Sequence, residues 1–232
     1  MYCNEVYSTE FERDLMYTSW AKFLKEERNL LPQVYCDMDG VLVDFEKGIV
    51  AQINLDLLNN DIPDRKPTGG LTHMGRMRRA LIAADRELQI DEADLRKGGG
   101  INSKAVRNYM YGNFGNDVEL WANLPKMAGS QELWSFISPY NPYILTSPMD
   151  EGSQVGKREW LANNVNPQPA KVYMSHDKWK WATTDGRPNV LIDDWDKNLI
   201  PWAEHGGIAI RCAFGDSASA ISELKELGFE AK

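Results

Sequence analysis

Apolar residues gather into short runs separated by longer mixed stretches. "QVYCD" (33–37), "NPYILTSP" (141–148), "AKVYMS" (170–175), "PNVLIDD" (188–194) and "GIAIRC" (207–212) each read as a brief buried strand closed by polar or turn residues. Between them, "SQVGKREWLANNV" (153–165), "DKNLIPWAEH" (196–205) and "SASAISELKELGF" (217–229) read as helices, the second stopped by Gly206 and Gly207. Strands alternating with helices predict an α/β fold with a doubly wound parallel sheet. Ligands bind at the carboxyl ends of strands in such sheets. Asp37, Asp39, Thr146, Asp193 and Asp194 all fall at those ends.

Two stretches stand outside the alternation. Residues 9–30 carry a Thr9/Glu12 capping box and a rough apolar stripe through Leu15 or Met16, Trp20, Phe23 and Leu24, which predicts an N-terminal helix (1–32) packed on the core. Residues 46–120 interrupt the pattern after the first strand. "GRMRRALIAADREL" (75–88) puts Met74, Met77, Leu81, Ala84 and Leu88 on one helical face. The expected layout is therefore an α/β core from 33–45 and 121–232, with a mostly helical insertion at 46–120.

Composition narrows the function. The chain has 232 residues, 43% hydrophobic and 26% charged, enough for one large domain or a domain with an insertion. Its net charge of −8 and pI near 5.0 argue against stable nucleic-acid binding, which needs a basic surface. The segment from Asp64 to Arg107 runs the other way, ten Lys/Arg against six Asp/Glu. A solvated helix face is the preferred reading of that excess, ahead of a lid drawing anions inward. Cys3, Cys36 and Cys212 show no paired spacing and suit reduced thiols in a cytoplasmic setting. No run approaches the ~18 apolar residues of a membrane span, and the N-terminus lacks the apolar core of a signal peptide. The sequence admits a homodimer without specifying one.

The chemistry centres on "VYCDMDGVLVDF" (34–45). Residues i and i+2 of a strand share a face, so Asp37 and Asp39 can look into one site while Met38 faces away. Two carboxylates there repel unless a cation intervenes. Mg²⁺ suits them, being hard, oxygen-liganded and commonly held by one or two carboxylates plus substrate phosphate. Asp193 and Asp194 supply further acids. The glycine is fourth where an EF-hand needs it sixth, and no P-loop or G-x-G-x-x-G stretch occurs. His73, His176 and His205 are scattered without metal-site spacing.

These residues resemble the motifs of the haloacid dehalogenase (HAD) superfamily. "VYCDMDGVLVDF" is similar to its first motif, "YILTSP" to its second and "VLIDD" to its fourth, with Lys157 in "GKREWL" at the place of the third-motif lysine. The combination looks most like the 5′(3′)-deoxyribonucleotidases, phage-encoded ones included, whose helical cap the 46–120 insertion matches. The resemblance implies a Mg²⁺-dependent phosphomonoesterase. Asp37 would be the nucleophile forming an aspartyl-phosphate, and Asp39 the general acid and base. Thr146 would bind a phosphoryl oxygen and Lys157 would neutralise Asp37. Mg²⁺ would be held by Asp37, the backbone carbonyl of Asp39 and a fourth-motif acid, Asp194 ahead of Asp193. Phe45 would flank the base and Ser147 would assist phosphate binding, although Phe45 equally suits a core position and Ser147 a plain turn. The implied host compartment is the cytoplasm and the implied partner a nucleoside monophosphate.

Two features depart from that branch. Trp195 stands where it commonly carries arginine, and the insertion holds no recognition motif that matches residue by residue. Tyr109, Tyr111, Phe114 and Trp121 fit an aromatic core better than a base-stacking surface. Alternative readings are a phosphatase for another small phosphoester or a polynucleotide end, and a non-catalytic nucleotide-binding protein of the same fold.

Overall fold

The computed structural model describes residues 31–96, 98–100 and 103–231. The helix expected at 9–30, and Cys3, lie outside them.

The apolar runs form a five-stranded parallel sheet. Its strands are β1 (Val34–Cys36), β2 (Tyr143–Thr146), β3 (Lys171–Met174), β6 (Val190–Asp193) and β7 (Ile208–Arg211), ordered β3-β2-β1-β6-β7. Short strands β4 (Thr183–Thr184) and β5 (Arg187–Pro188) make a separate antiparallel pair. Every strand pairing in the large sheet is parallel, as the alternation predicts. The chain builds outward from β1 to β3, then crosses to the other side of β1 for β6 and β7. Strand order thus reverses beside β1, which makes the carboxyl ends of β1 and β6 the switch point where such sheets bind ligands.

Side chains alternate across the sheet. Tyr35, Leu145, Leu191 and Ala209 share a core with Leu199 and Trp202, where Tyr35 meets Tyr143 and Trp202 edge-on at 5.3 and 5.5 Å. Cys36, Ile144, Ile192 and Ile210, one residue along, are completely buried. A sheet covered on both faces accounts for the continuous apolar runs.

The described chain divides into two compact units. The sheet unit comprises the described residues up to 43, with 126–147 and 165–231. It includes helix α6 (Ser130–Ile137), helix α8 (Asp196–Glu204) and helix α9 (Ser217–Glu226). The second unit comprises 44–125 and 148–164. Its helices are α1 (Phe45–Leu58), α2 (His73–Ala83), α3 (Glu92–Leu95), α4 (Ser103–Asn113), α5 (Val118–Ala122) and α7 (Glu151–Asn164).

The stretch 46–120, expected as a helical insertion, falls within the 44–125 segment of the second unit, whose described elements are helices. Helix α7 groups with it instead of with the sheet. A Cβ at Gly156 would come within 2.5 Å of the Trp121 Cβ and the Val118 carbonyl, so this glycine lets α7 lie directly on α5. The Ser153 N–H donates to the Gly115 carbonyl at 2.8 Å.

The second unit has its own core. Asp44 caps α1 by accepting from the Lys47 N–H. Ile49, Ile53 and Leu57 then recur every four residues and are buried against Met74, Met77, Leu81, Val106 and Met110. Each such side chain contributes roughly 1.5–3 kcal/mol by leaving water. Helix α2 is shorter than the 75–88 expected. It ends at Ala83 because Asp85 turns left-handed (φ 53°), and Leu88 reaches the core from the following loop.

Candidate active site

Three aspartates converge at the switch point. The Asp37 N–H donates to the Ile192 carbonyl at 2.9 Å, extending the β1–β6 ladder one residue past Cys36. Asp193 is the last residue of β6, and its carbonyl accepts from the Cys212 N–H at 2.9 Å. Oxygen atoms of Asp37, Asp193 and Asp194 all lie within 4.8 Å of one another. Strand pairing, rather than a flexible loop, holds this cluster.

Lys178 brings a cation into the cluster. Its Nζ lies 2.8 Å from Asp37 Oδ2 and 2.6 Å from Asp193 Oδ2, and the side chain is only 1% exposed. Burial alone would lower its pKa, but Asp37 and Asp193 prevail and hold it above the usual lysine value. Lys178, which the sequence motifs did not single out, thus contacts Asp37 directly. Lys157 belongs to the second unit, in α7, where its buried ammonium sits over the Trp121 ring at 5.1 Å.

A local signal did mark Lys178. It opens the 3₁₀ turn Lys178–Trp181, "KWKW", in which residues three apart eclipse one another. Lys178 therefore shares a face with Trp181, which packs on the sheet core. Lys180 points outward to Asp177.

The two fourth-motif acids differ. Asp193 accepts from Lys178, from the Trp195 N–H at 2.9 Å, and from Asn198 Nδ2 at 3.1 and 3.0 Å on its two oxygens. Both oxygens are thus engaged by protein donors. Burial, with Asp37 adding to it and Lys178 opposing, pushes its pKa up to about 6. Asp194 lies against the Asp37–Gly40 turn, where burial first, then Asp37 and Asp193, push its pKa up to about 8. Every donor atom that the three carboxylates offer is a hard oxygen. The set fits a divalent oxygen-seeking cation such as Mg²⁺; with Asp193 held by Lys178, Asp37 and Asp194 are the acids that would hold it.

Gly40 explains the last letter of D-x-D-G. The chain leaves β1 and doubles back, with Leu42 N–H to Met38 O at 2.8 Å and Gly40 N–H to Val43 O at 2.9 Å. Gly40 adopts φ 77°, and a Cβ there would fall 2.2 Å from Asp194 Oδ2. Only glycine takes this backbone while admitting the carboxylate.

Asp39 consequently sits in the turn, not on the strand as the i, i+2 argument placed it. It is half-buried, and its carboxylate is not part of the three-aspartate group among the described residues. It is near enough that its charge helps raise the Asp194 pKa.

Thr146 is fully buried at the carboxyl end of β2. Its carbonyl accepts from the Ser175 N–H at 2.9 Å. The Ser147 hydroxyl donates to the Ser175 carbonyl at 3.1 Å. That proton holds the β2 and β3 ends together, so Ser147 would have to rotate before donating to a phosphate. Phe45 lies in the second unit at the start of α1, stacked on Trp121 at 5.5 Å and packed against that unit's core. Tyr109, Phe114 and Trp121 are buried there too, as expected, while Tyr111 is exposed.

No protein-family model and no curated protein matches the chain. Solved structures do. A dehalogenase with an intermediate complex is similar at TM-score 0.47 and 12% identity, covering 86% of this chain and 98% of that one. A phosphonoacetaldehyde hydrolase-like protein from Oleispira antarctica is similar at 0.43 and 13%, covering 86% of each. A HAD family enzyme from Bacteroides thetaiotaomicron, a magnesium complex, is similar at 0.39 and 16%, covering 80% of this chain and 94% of that one. Among the described residues, no helix is long and apolar enough to cross a membrane.

Proposed function

We propose that this chain is a HAD-type, Mg²⁺-dependent phosphomonoesterase of 5′-nucleotidase character, acting on (deoxy)nucleoside monophosphates. The observation that carries the reading is the buried Asp37–Lys178–Asp193 ion cluster, with Asp194 beside it, at the carboxyl ends of β1 and β6.

Asp37 serves as the nucleophile. Lys178 orients its carboxylate through Oδ2, and the Met38 N–H, 2.7 Å from Oδ1, fixes the second oxygen. Attack on phosphorus forms an aspartyl-phosphate and breaks the ester bond. Asp39 gives a proton to the departing alkoxide, then takes one from the water that attacks the aspartyl-phosphate. That second step releases inorganic phosphate and restores the Asp37 carboxylate. Mg²⁺, held by Asp37 and Asp194, would supply charge stabilisation for the phosphoryl oxygens. Lys178 adds a fixed positive charge beside the same oxygens. Thr146, at the end of β2, offers a hydroxyl for one phosphoryl oxygen.

The test is phosphate release from 5′- and 3′-deoxynucleoside monophosphates, sugar phosphates and phosphorylated oligonucleotides, with Mg²⁺ and with a chelator. Turnover is expected for the mononucleotides only with Mg²⁺. Asp37→Asn should lower it by about a thousandfold or more, as loss of a covalent nucleophile does elsewhere. Undiminished turnover by that variant, or none from any substrate by the native chain, would overturn the reading.

A further inference from the structure

The exposed aromatics of the sheet unit include two at its ligand-binding edge. Trp195 follows the Asp193–Asp194 pair directly and is 57% exposed; Phe214 follows β7 and is 70% exposed. Both are placed by Asp193. Its carboxylate receives the Trp195 N–H, and its carbonyl receives the N–H of Cys212, two residues before Phe214. Trp195 is held in extended backbone at the N-cap of α8 (φ −116°, ψ 119°), with the Lys197 ammonium over its ring at 5.0 Å. Phe214 occupies the left-handed region (φ 50°, ψ 38°), which is unfavourable for a residue with a side chain. Backbone strain and a large exposed apolar ring coincide there, on the strand-end edge that carries the acidic cluster.

We propose that Trp195 is a specificity-determining residue, whose indole stacks on a planar heteroaromatic group of the phosphoester substrate, with Phe214 as a second wall. The proposal rests on the phosphomonoesterase reading and adds the residue that recognises the leaving group. The occupant follows from the arrangement. The acidic cluster takes the phosphoryl end, and an aromatic face suits a base of any identity. Lys197 orients the indole through a cation–π contact and adds positive charge for an anionic ligand.

The test compares thymidine 5′-monophosphate with deoxyribose 5-phosphate, which is the same sugar phosphate without a base. The native chain should prefer the nucleotide in kcat/KM. Trp195→Ala should lower that preference about tenfold, the change falling on KM of the nucleotide. Trp195→Phe should restore most of it, and Phe214→Ala should lower it less. Taking the ratio cancels any general loss of folded enzyme. An unchanged ratio in Trp195→Ala would overturn the proposal. If the native chain hydrolyses neither compound, the phosphatase reading fails by itself. Calorimetric titration of thymidine 5′-monophosphate into native and Trp195→Ala protein then decides the stacking. Binding weakened about tenfold supports it, whereas equal binding or none overturns it.

Discussion

Lys178 in the sheet unit and Arg78 in the helical unit are both cations turned inward, and they meet different kinds of partner. Lys178 touches two carboxylates, with a third nearby. The Arg78 guanidinium, on a side chain 11% exposed, donates to the carbonyls of Asp56, Leu57, Asn59 and Ile62 and to the Asp64 carboxylate at 2.7 Å. It satisfies the carbonyls left over at the end of α1, where a positive charge also suits the helix dipole. The Arg78 network closes on itself. The Lys178 network instead gathers three carboxylates at the carboxyl ends of β1 and β6. Buried charge collected at a ligand-binding edge marks a site, and buried charge spent on backbone carbonyls marks architecture.

Exchanging each cation for methionine should break this comparison if it is mistaken. Lys178→Met leaves Asp37 and Asp193 buried without their cation and should cost about 3–5 kcal/mol in chemical denaturation. Arg78→Met should also destabilise the chain, but only Lys178→Met should abolish phosphate release per folded molecule. Equal activity losses would place Arg78 in the site or Lys178 outside it.

Magnesium sharpens the same contrast. At a hundredfold excess over its dissociation constant, a ligand of the native state alone adds about 2.7 kcal/mol of stability. The native chain should show this gain on magnesium titration, and Asp194→Asn should show little. A full gain in Asp194→Asn would remove Asp194 from the ligand set. Gly40→Ala meets both the Asp194 carboxylate and an unfavourable φ. It should cost about 2 kcal/mol and weaken the magnesium response together with stability.

The smallest expected effect lies in the helical unit. The Tyr109 hydroxyl donates to Asp56 Oδ2 at 2.8 Å, and Tyr109→Phe should cost about 1 kcal/mol. Burial first, then that bond to Asp56, raise the tyrosine pKa above its usual 10. A raised folded pKa means the stabilisation is complete below the unfolded value of about 10 and is lost as pH climbs towards the folded one. The native chain should therefore lose stability above pH ~10 more steeply than Tyr109→Phe. Parallel alkaline limbs would show that the bond contributes nothing.

Legibility followed the same division. The strands and their terminal acids could be read because a parallel sheet needs uninterrupted apolar runs, and because the first polar residue after each run falls at the ligand edge. Asp37, Thr146, Asp193 and Asp194 lie where that rule puts them. Asp39 did not follow it, since Gly40 turns the chain before the alternation can continue. Lys178 escaped because its burial depends on a 3₁₀ turn with period 3 inside a polar, tryptophan-rich loop, whereas Lys157 lay on a regular helix. The inclusion of α7 in the helical unit depends on Gly156 admitting the α5 backbone, a steric fact with no hydrophobic pattern. Phe45 carried two sequence readings, and its stacking on Trp121 matches the core one.

The strand order carries a consequence for biosynthesis. β1 is made first among the described strands but lies at the centre of the sheet, and its second neighbour, β6, is translated more than 150 residues later. A nascent chain released before residue 193 would hold Asp37 and Lys178 without the acid that joins them, beside a central strand with one edge unpaired. Such non-local closure is slow, and an open strand edge is a surface for aggregation. Completion of the ion cluster thus coincides with the pairing of the second edge of β1, and products cut short before β6 are left with neither.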